Sequence, residues 1–143
     1  MTAIKREQIL DHIADLLAGT VQVGTRIYRS RQEAFSRNEA PCLLIEPGTD
    51  VAREEPVSNC KIDWRLPVAV IVHTRGPIPE QLAGPIIADV HSRLLADRSL
   101  GGLAMDVWPA DVNHQREQAD ALAGRTTCTY TVRYRTSHID LTV

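Results

Sequence analysis

Five histidines, at positions 12, 73, 91, 114 and 138, are the first residues to test for metal or acid–base chemistry. A transition-metal site needs ligands at spacings such as H-x-x-x-H or H-E-x-x-H, where two imidazoles share one face, and no such spacing occurs. Three cysteines, Cys42, Cys60 and Cys128, contain no C-x-x-C pair and leave one thiol over in any disulfide scheme. They read as reduced, partly buried thiols packing as small apolar residues. For acyl transfer, the serines at 30, 36, 58, 92, 99 and 137 lack the G-x-S-x-G turn that exposes a nucleophile. A metal-dependent nuclease needs clustered carboxylates beside a lysine, yet the chain has only Lys5 and Lys61. Gly101-Gly102 follows a helical pattern instead of opening one, so it ends a helix and does not cradle phosphate. These residues point to no enzyme, no metal and no cofactor.

Arginine is the residue whose distribution is uneven. Arg26, Arg29, Arg31 and Arg37 crowd one early segment beside Tyr28 and Phe35, and Arg133 and Arg135 share the polar side of a late strand. Arginine beside aromatic side chains is a composition that protein interfaces enrich, so Tyr28, Arg29 and Arg31 are contact candidates; a solvated face is the competing reading. The chain as a whole balances 16 basic against 18 acidic residues, a formal net charge of -2, which gives no global case for nucleic acid or an anionic membrane. The longest apolar run, Leu66 to Val72, is too short to span a bilayer, and Asp11, His12 and Asp15 interrupt what would be the apolar part of a leader. A cytosolic protein is the default expectation.

The elements that position these residues are organised around Cys60 to His73. Ile62, Trp64, Leu66, Val68, Val70 and Val72 recur at every second position, the period of a strand with one face in a core. The opposite set is polar at first and apolar near His73, so burial deepens along the strand. Before it, Ile9, Ile13, Leu16 and Leu17 predict an amphipathic helix over about residues 3 to 18, capped by Thr2 and stopped at Gly19. Arg26 to Tyr28 reads as an edge strand, residues 29 to 38 as polar with a helical turn near Ala34 and Phe35, and Pro41 to Ile45 as an apolar strand. Residues 49 to 59, with Arg53, Glu54, Glu55 and Pro56 in succession, read as an exposed hairpin arm or a loop. After the main strand, Pro79 suits the first turn of a second helix, whose stripe is Leu82, Ile86, Val90 and Leu94. Leu103 to Asp111 reads as a strand with Pro109 at a bulge or edge, 113 to 124 as a bent strand or connecting loop, and Thr126 to Thr136 as the last strand. The sum is one α+β domain over residues 1–143, with a mixed, mostly antiparallel sheet of four to five strands and two main helices on one face.

Four pieces stand in a familiar order: a polar R-x-R-x-E-A-F-like segment leading into P-C-L-L-I-E-P-G, a long alternating strand with an internal tryptophan, then L-L-A-D-R-S-L-G-G-L-A-M-D-V, then T-Y-T-V-R-Y-R-T. In this, over about residues 2 to 137, the chain resembles the tail terminator, or minor tail protein U-like, family of long-tailed bacteriophages and prophages. The resemblance implies a structural, non-catalytic α+β protein that caps the head-proximal end of the tail tube as a six-membered ring, stops its polymerisation and presents a surface for head joining. It implies as partners other copies of the chain (a homo-hexameric ring on the tail, a monomer or weak oligomer when free), the tail tube protein and the head-completion protein. Nucleic-acid specificity and membranes are not implied. The setting would be the host bacterial cytoplasm during assembly and the tail of the virion. By position it makes Arg53, Glu54 and Glu55 an arm for a neighbouring subunit or the tube. Another head–tail connector protein and a small ligand-binding or regulatory α+β domain are the alternative readings.

Overall fold

The computed structural model describes residues 2–29, 39–55, 60–118 and 122–143. Its element order is α1 (Lys5–Leu17), β1 (Ile27–Arg29), β2 (Cys42–Pro47), β3 (Val51–Ala52), β4 (Lys61–Arg75), α2 (Pro79–Leu95), β5 (Asp106–Gln118) and β6 (Leu122–Ser137). The sheet runs β1-β2-β4-β6-β5, with β3 paired to the far end of β4. The β1–β2 pair is parallel and the other described pairs are antiparallel. The protein is therefore α+β with a six-stranded, mostly antiparallel sheet; the two-residue β3 takes it past the four or five strands expected.

The β4–β6 ladder is the spine. It runs from the Lys61–Ser137 rung to the Arg75–Ala123 rung, so every β4 residue has a β6 partner. The alternating set of β4 faces that of β6, pairing Leu66 with Val132, Val68 with Tyr130 and Val70 with Cys128, and all six are buried. Leu43 and Ile45 of β2 and Val107 of β5 extend the same apolar face. Two helices cover it, through Ile9, Leu10, Ile13 and Leu17 of α1 and Ala83, Ile86, Val90 and Leu94 of α2. Expected and observed strands agree here because period-two alternation reports a one-sided core directly.

Local details depart from the sequence reading where tertiary contacts intervene. Ile4, not Thr2, is the α1 N-cap, and no side chain caps that end. The C-terminal tail supplies partners instead: the Lys5 N–H donates to the Leu141 carbonyl (2.7 Å) and Gln8 Nε2 to that of Thr142 (3.1 Å). At the other end Gly19 takes the left-handed conformation predicted for it (φ 88°). Arg93 of α2 reaches over to donate to the carbonyls of Leu16, Ala18 and Gly19, satisfying acceptors that a helix end leaves open. Along α2, Leu82 is 42% exposed and Ala83 takes its place in the stripe, because Leu82 instead lies across Gly76, where a Cβ would come within 2.6 Å of its Cδ1. Pro79 opens α2 as expected, and Gly84 and Pro85 are tolerated on its exposed side. The start of α2 sits so close to the sheet that a Cβ on Gly124 would lie 2.4 Å from the Pro79 Cβ.

Residues 113–118 belong to β5, and the connecting-loop alternative is set aside. Residues 110–116 are exposed on both faces, so they carry no alternation, and only pairing with β6 makes them a strand. The predicted irregularity at Pro109 is present as a register shift between Pro109 and Asp111. The helical turn expected near Ala34 and Phe35 lies outside the described residues.

Leu66, fully buried at the centre of the ladder, sets a stability test: Leu66→Ala should cost about 2 to 5 kcal/mol in urea denaturation, while Val112→Ala on the wet ribbon should stay within about 0.5 kcal/mol. Burial also holds protons in the core. Desolvation, with Asp111 nearby, pushes the Cys128 thiol up to about 11, and desolvation beside Cys128 pushes the Tyr130 phenol up to about 12. Tyr134 rises as well, from desolvation first and then from its hydrogen bond to Asp50. The unfolded chain loses these protons before the folded one, so their contribution is intact below about pH 9 and declines as pH rises through the folded values. Denaturation under reducing conditions should show that alkaline decline, and Tyr130→Phe with Cys128→Ala should make it shallower.

Candidate interaction surface

The segment after β2 is built to hold β3 away from the core. The Gly48 N–H donates to the Pro67 carbonyl at 2.7 Å, and a Cβ at residue 48 would lie 2.7 Å from Pro67 Cγ, so the chain passes β4 closely only with glycine there. Asp50 then accepts from Arg6 Nε of α1 (2.9 Å) and from the Tyr134 hydroxyl of β6. The carboxylate hydrogen bond raises the Arg6 guanidinium further above its ordinary value. Beyond this anchor, β3 runs antiparallel to β4 with Val51 opposite Arg65 and Ala52 opposite Trp64, and the Arg53 N–H donates to the Asp63 carbonyl at 2.9 Å. Residues 51–55 are all exposed, Val51 at 57%. Of the two readings for this stretch, hairpin arm or loop, its described part is an arm.

Between this arm and the sheet lies an open groove of about 460 Å³, walled by Val51, Arg53, Glu54, Trp64, Arg65, Met105 and Arg133 among others. The register puts Arg65 directly opposite Arg133, and Arg133 opposite Asp106. Asp106 is already held by Arg98, through bonds of 2.7 and 2.8 Å. Asp63 is held in the same way by Arg135, at 2.6 and 3.3 Å. Those arginines keep both carboxyls below the usual range, Arg135 acting on Asp63 and Arg98 on Asp106. Among the described residues no carboxylate hydrogen-bonds the Arg53, Arg65 or Arg133 side chain. Apolar surface adjoins the charges: Met105 is 45% exposed and Trp108 55%, the latter under the Arg98 guanidinium at 4.6 Å.

The sequence candidates separate into two groups. Arg53 and Glu54 line the groove and Glu55 follows them on the exposed arm. Tyr28 and Arg29 sit on β1 at an edge of the sheet, half-buried, and are not in the groove. Arg29 donates to Glu7 (2.9 Å) and Asp11 (2.6 Å) of α1. Arg29 is thus committed within the fold: it ties the edge strand to the first helix, and it is the main cause of a lowered Glu7 carboxyl. Arg31 lies outside the described residues. Arg65, Met105 and Trp108 were missed as surface candidates. Arg65 did fall on the polar face of β4, but its juxtaposition with Arg133 depends on a register that no local pattern encodes.

Among the described residues there is no group of three His, Cys, Asp or Glu side chains placed to hold a metal ion, and no helix is long and apolar enough to cross a membrane. No protein-family model matches the chain, and no curated protein matches it. Among solved structures the chain is similar to one from the virion of a native gene transfer agent particle, with a TM-score of 0.44 and 12% identity over 90% of this chain and 92% of that one.

The anchor at Asp50 is directly testable. Asp50→Ala leaves the buried Tyr134 hydroxyl without its acceptor and should cost about 1 to 3 kcal/mol. It should also free the arm, so that trypsin cleaves after Arg53 faster than in the parent while the β4–β6 ladder survives. Equal cleavage rates in the two proteins would show that the arm is held by β3 pairing alone.

Proposed function

We propose that this chain is a structural component of a phage or prophage tail: a terminator that closes the head-proximal end of the tube as a ring of six copies, halts tube growth and offers the surface for head joining. In this reading it has no catalytic role, and its partners are its own copies, the tail tube protein and the head-completion protein. The reading rests on the sequence resemblance and is supported by one geometric observation, the β3 arm. Residues 51–55 are exposed and anchored from behind by Asp50, which is the construction of a contact element and not of a core strand. The adjoining groove is open and rimmed by charge, which favours a protein contact over the enclosed apolar pocket that a small-ligand domain would need.

A ring requires two different patches on each subunit, whereas a two-fold dimer uses one patch twice. Sedimentation across a concentration series, with imaging of the most concentrated sample, therefore tests the reading. The expected result is a monomer or weak oligomer that gives six-fold rings at high concentration or on tube ends; an obligate two-fold dimer with a large apolar interface would overturn it. The contact itself is best probed on the arm, since reversing Arg29 would set a carboxylate against Glu7 and Asp11 and disturb the fold. Glu54→Lys with Glu55→Lys should leave circular dichroism unchanged and stability within about 0.5 kcal/mol. In particles it should give unjoined tails or tails of uncontrolled length.

A further inference from the structure

Arg65 and Arg133 occupy one rung of the β4–β6 ladder and are both exposed. Opposed residues on antiparallel strands have Cα atoms only about 4.5 to 5.5 Å apart, and like charges so placed repel. Flanking arginines avoid this: Arg98 and Arg135 each make two hydrogen bonds to a carboxylate, on Asp106 and Asp63. Those acids also attract Arg133, and Asp63 attracts Arg53, through space, but their side-chain hydrogen bonds go to Arg98 and Arg135, and Arg53 brings a third guanidinium to the same groove. A fold under no other demand would place a threonine or glutamate on this rung. The arrangement lacks one thing, a carboxylate from outside, which each planar guanidinium can bind through two parallel bonds.

We propose that this groove is a docking site for an acidic segment of a partner protein, one or two of whose carboxylates insert between Arg65 and Arg133 while a neighbouring apolar side chain packs on Val51 and Met105. The lining selects that occupant over nucleic acid. A phosphodiester backbone asks for a continuous cationic track, whereas here Glu54 and Asp63 interrupt the positive surface and exposed apolar side chains adjoin it. Arginine, methionine and tryptophan together are what protein contacts enrich. The inference concerns the chemistry of the occupant and holds whether or not the chain caps a tail.

The test is fluorescence anisotropy with a labelled peptide carrying two glutamates between leucines, its glutamine counterpart, and single-stranded oligothymidylate. The acidic peptide should bind at least about tenfold more tightly than the glutamine peptide, and Arg133→Gln and Arg65→Gln should each weaken it by about tenfold or more. Arg65→Gln should not lower the melting temperature, since it removes a repulsion; a merely structural arginine would lower it. Equal binding of the two peptides, no binding at about 1 mM, or a preference for the oligonucleotide would overturn the proposal. So would self-association that is lost in Arg133→Gln and not competed by the acidic peptide, because the occupant would then be a second copy of the chain.

Discussion

One face of the β4–β6 ladder has to be kept from water, and the rest of the fold follows from how that is done. The apolar rungs from Leu66–Val132 to Val70–Cys128 form a surface too wide for one helix, so α1 and α2 lie side by side over it. Each Leu, Ile or Val removed from water contributes about 1.5 to 3 kcal/mol. Once that face is committed, the opposite face of the same strands is left to polar residues near Lys61 and Ser137, and the free surface of the protein is decided by default.

Polar groups then fix where the covering pieces sit. Arg93 joins α2 to the end of α1, Arg29 joins β1 to the first turns of α1, and Asp50 joins α1, β6 and the base of the arm. These contacts bring little stability as individual surface pairs, but each is directional. The Asp50 cluster differs because the Tyr134 hydroxyl is buried with it, and an unmet buried hydroxyl is costly. The arm is thus exposed in its side chains and fixed at its root, a combination suited to presenting residues to another surface.

The groove beside the arm shows the opposite economy. Two arginines on one rung repel each other, and the chain has Arg98 and Arg135 nearby as examples of the hydrogen-bonded alternative. Local conflicts of this kind are where a sequence keeps a requirement other than stability.

How much of this was legible depended on the range of the interaction concerned. Alternation from Ile62 to Val72 and from Cys128 to Tyr134, the periodicity of Ile9 to Leu17, and the Pro79 start of α2 are written within a few residues, because strand and helix periods map side chains to faces without reference to the rest of the chain. The α+β class followed from those alone. The strand character of residues 113–118 was legible only as one of two alternatives, bent strand or connecting loop, since the ribbon over 110–116, wet on both sides, has no apolar period and exists only through its partner. The displacement of Leu82 by Ala83, the use of Leu141 in place of Thr2 at the start of α1, and the engagement of Arg29 by α1 were likewise settled by groups far away in sequence. The meeting of Arg53, Arg65, Met105 and Arg133 belongs to the same kind: the sequence shows where the arginines fall along the chain, but strand register, set by burial on the other face, decides which of them become neighbours.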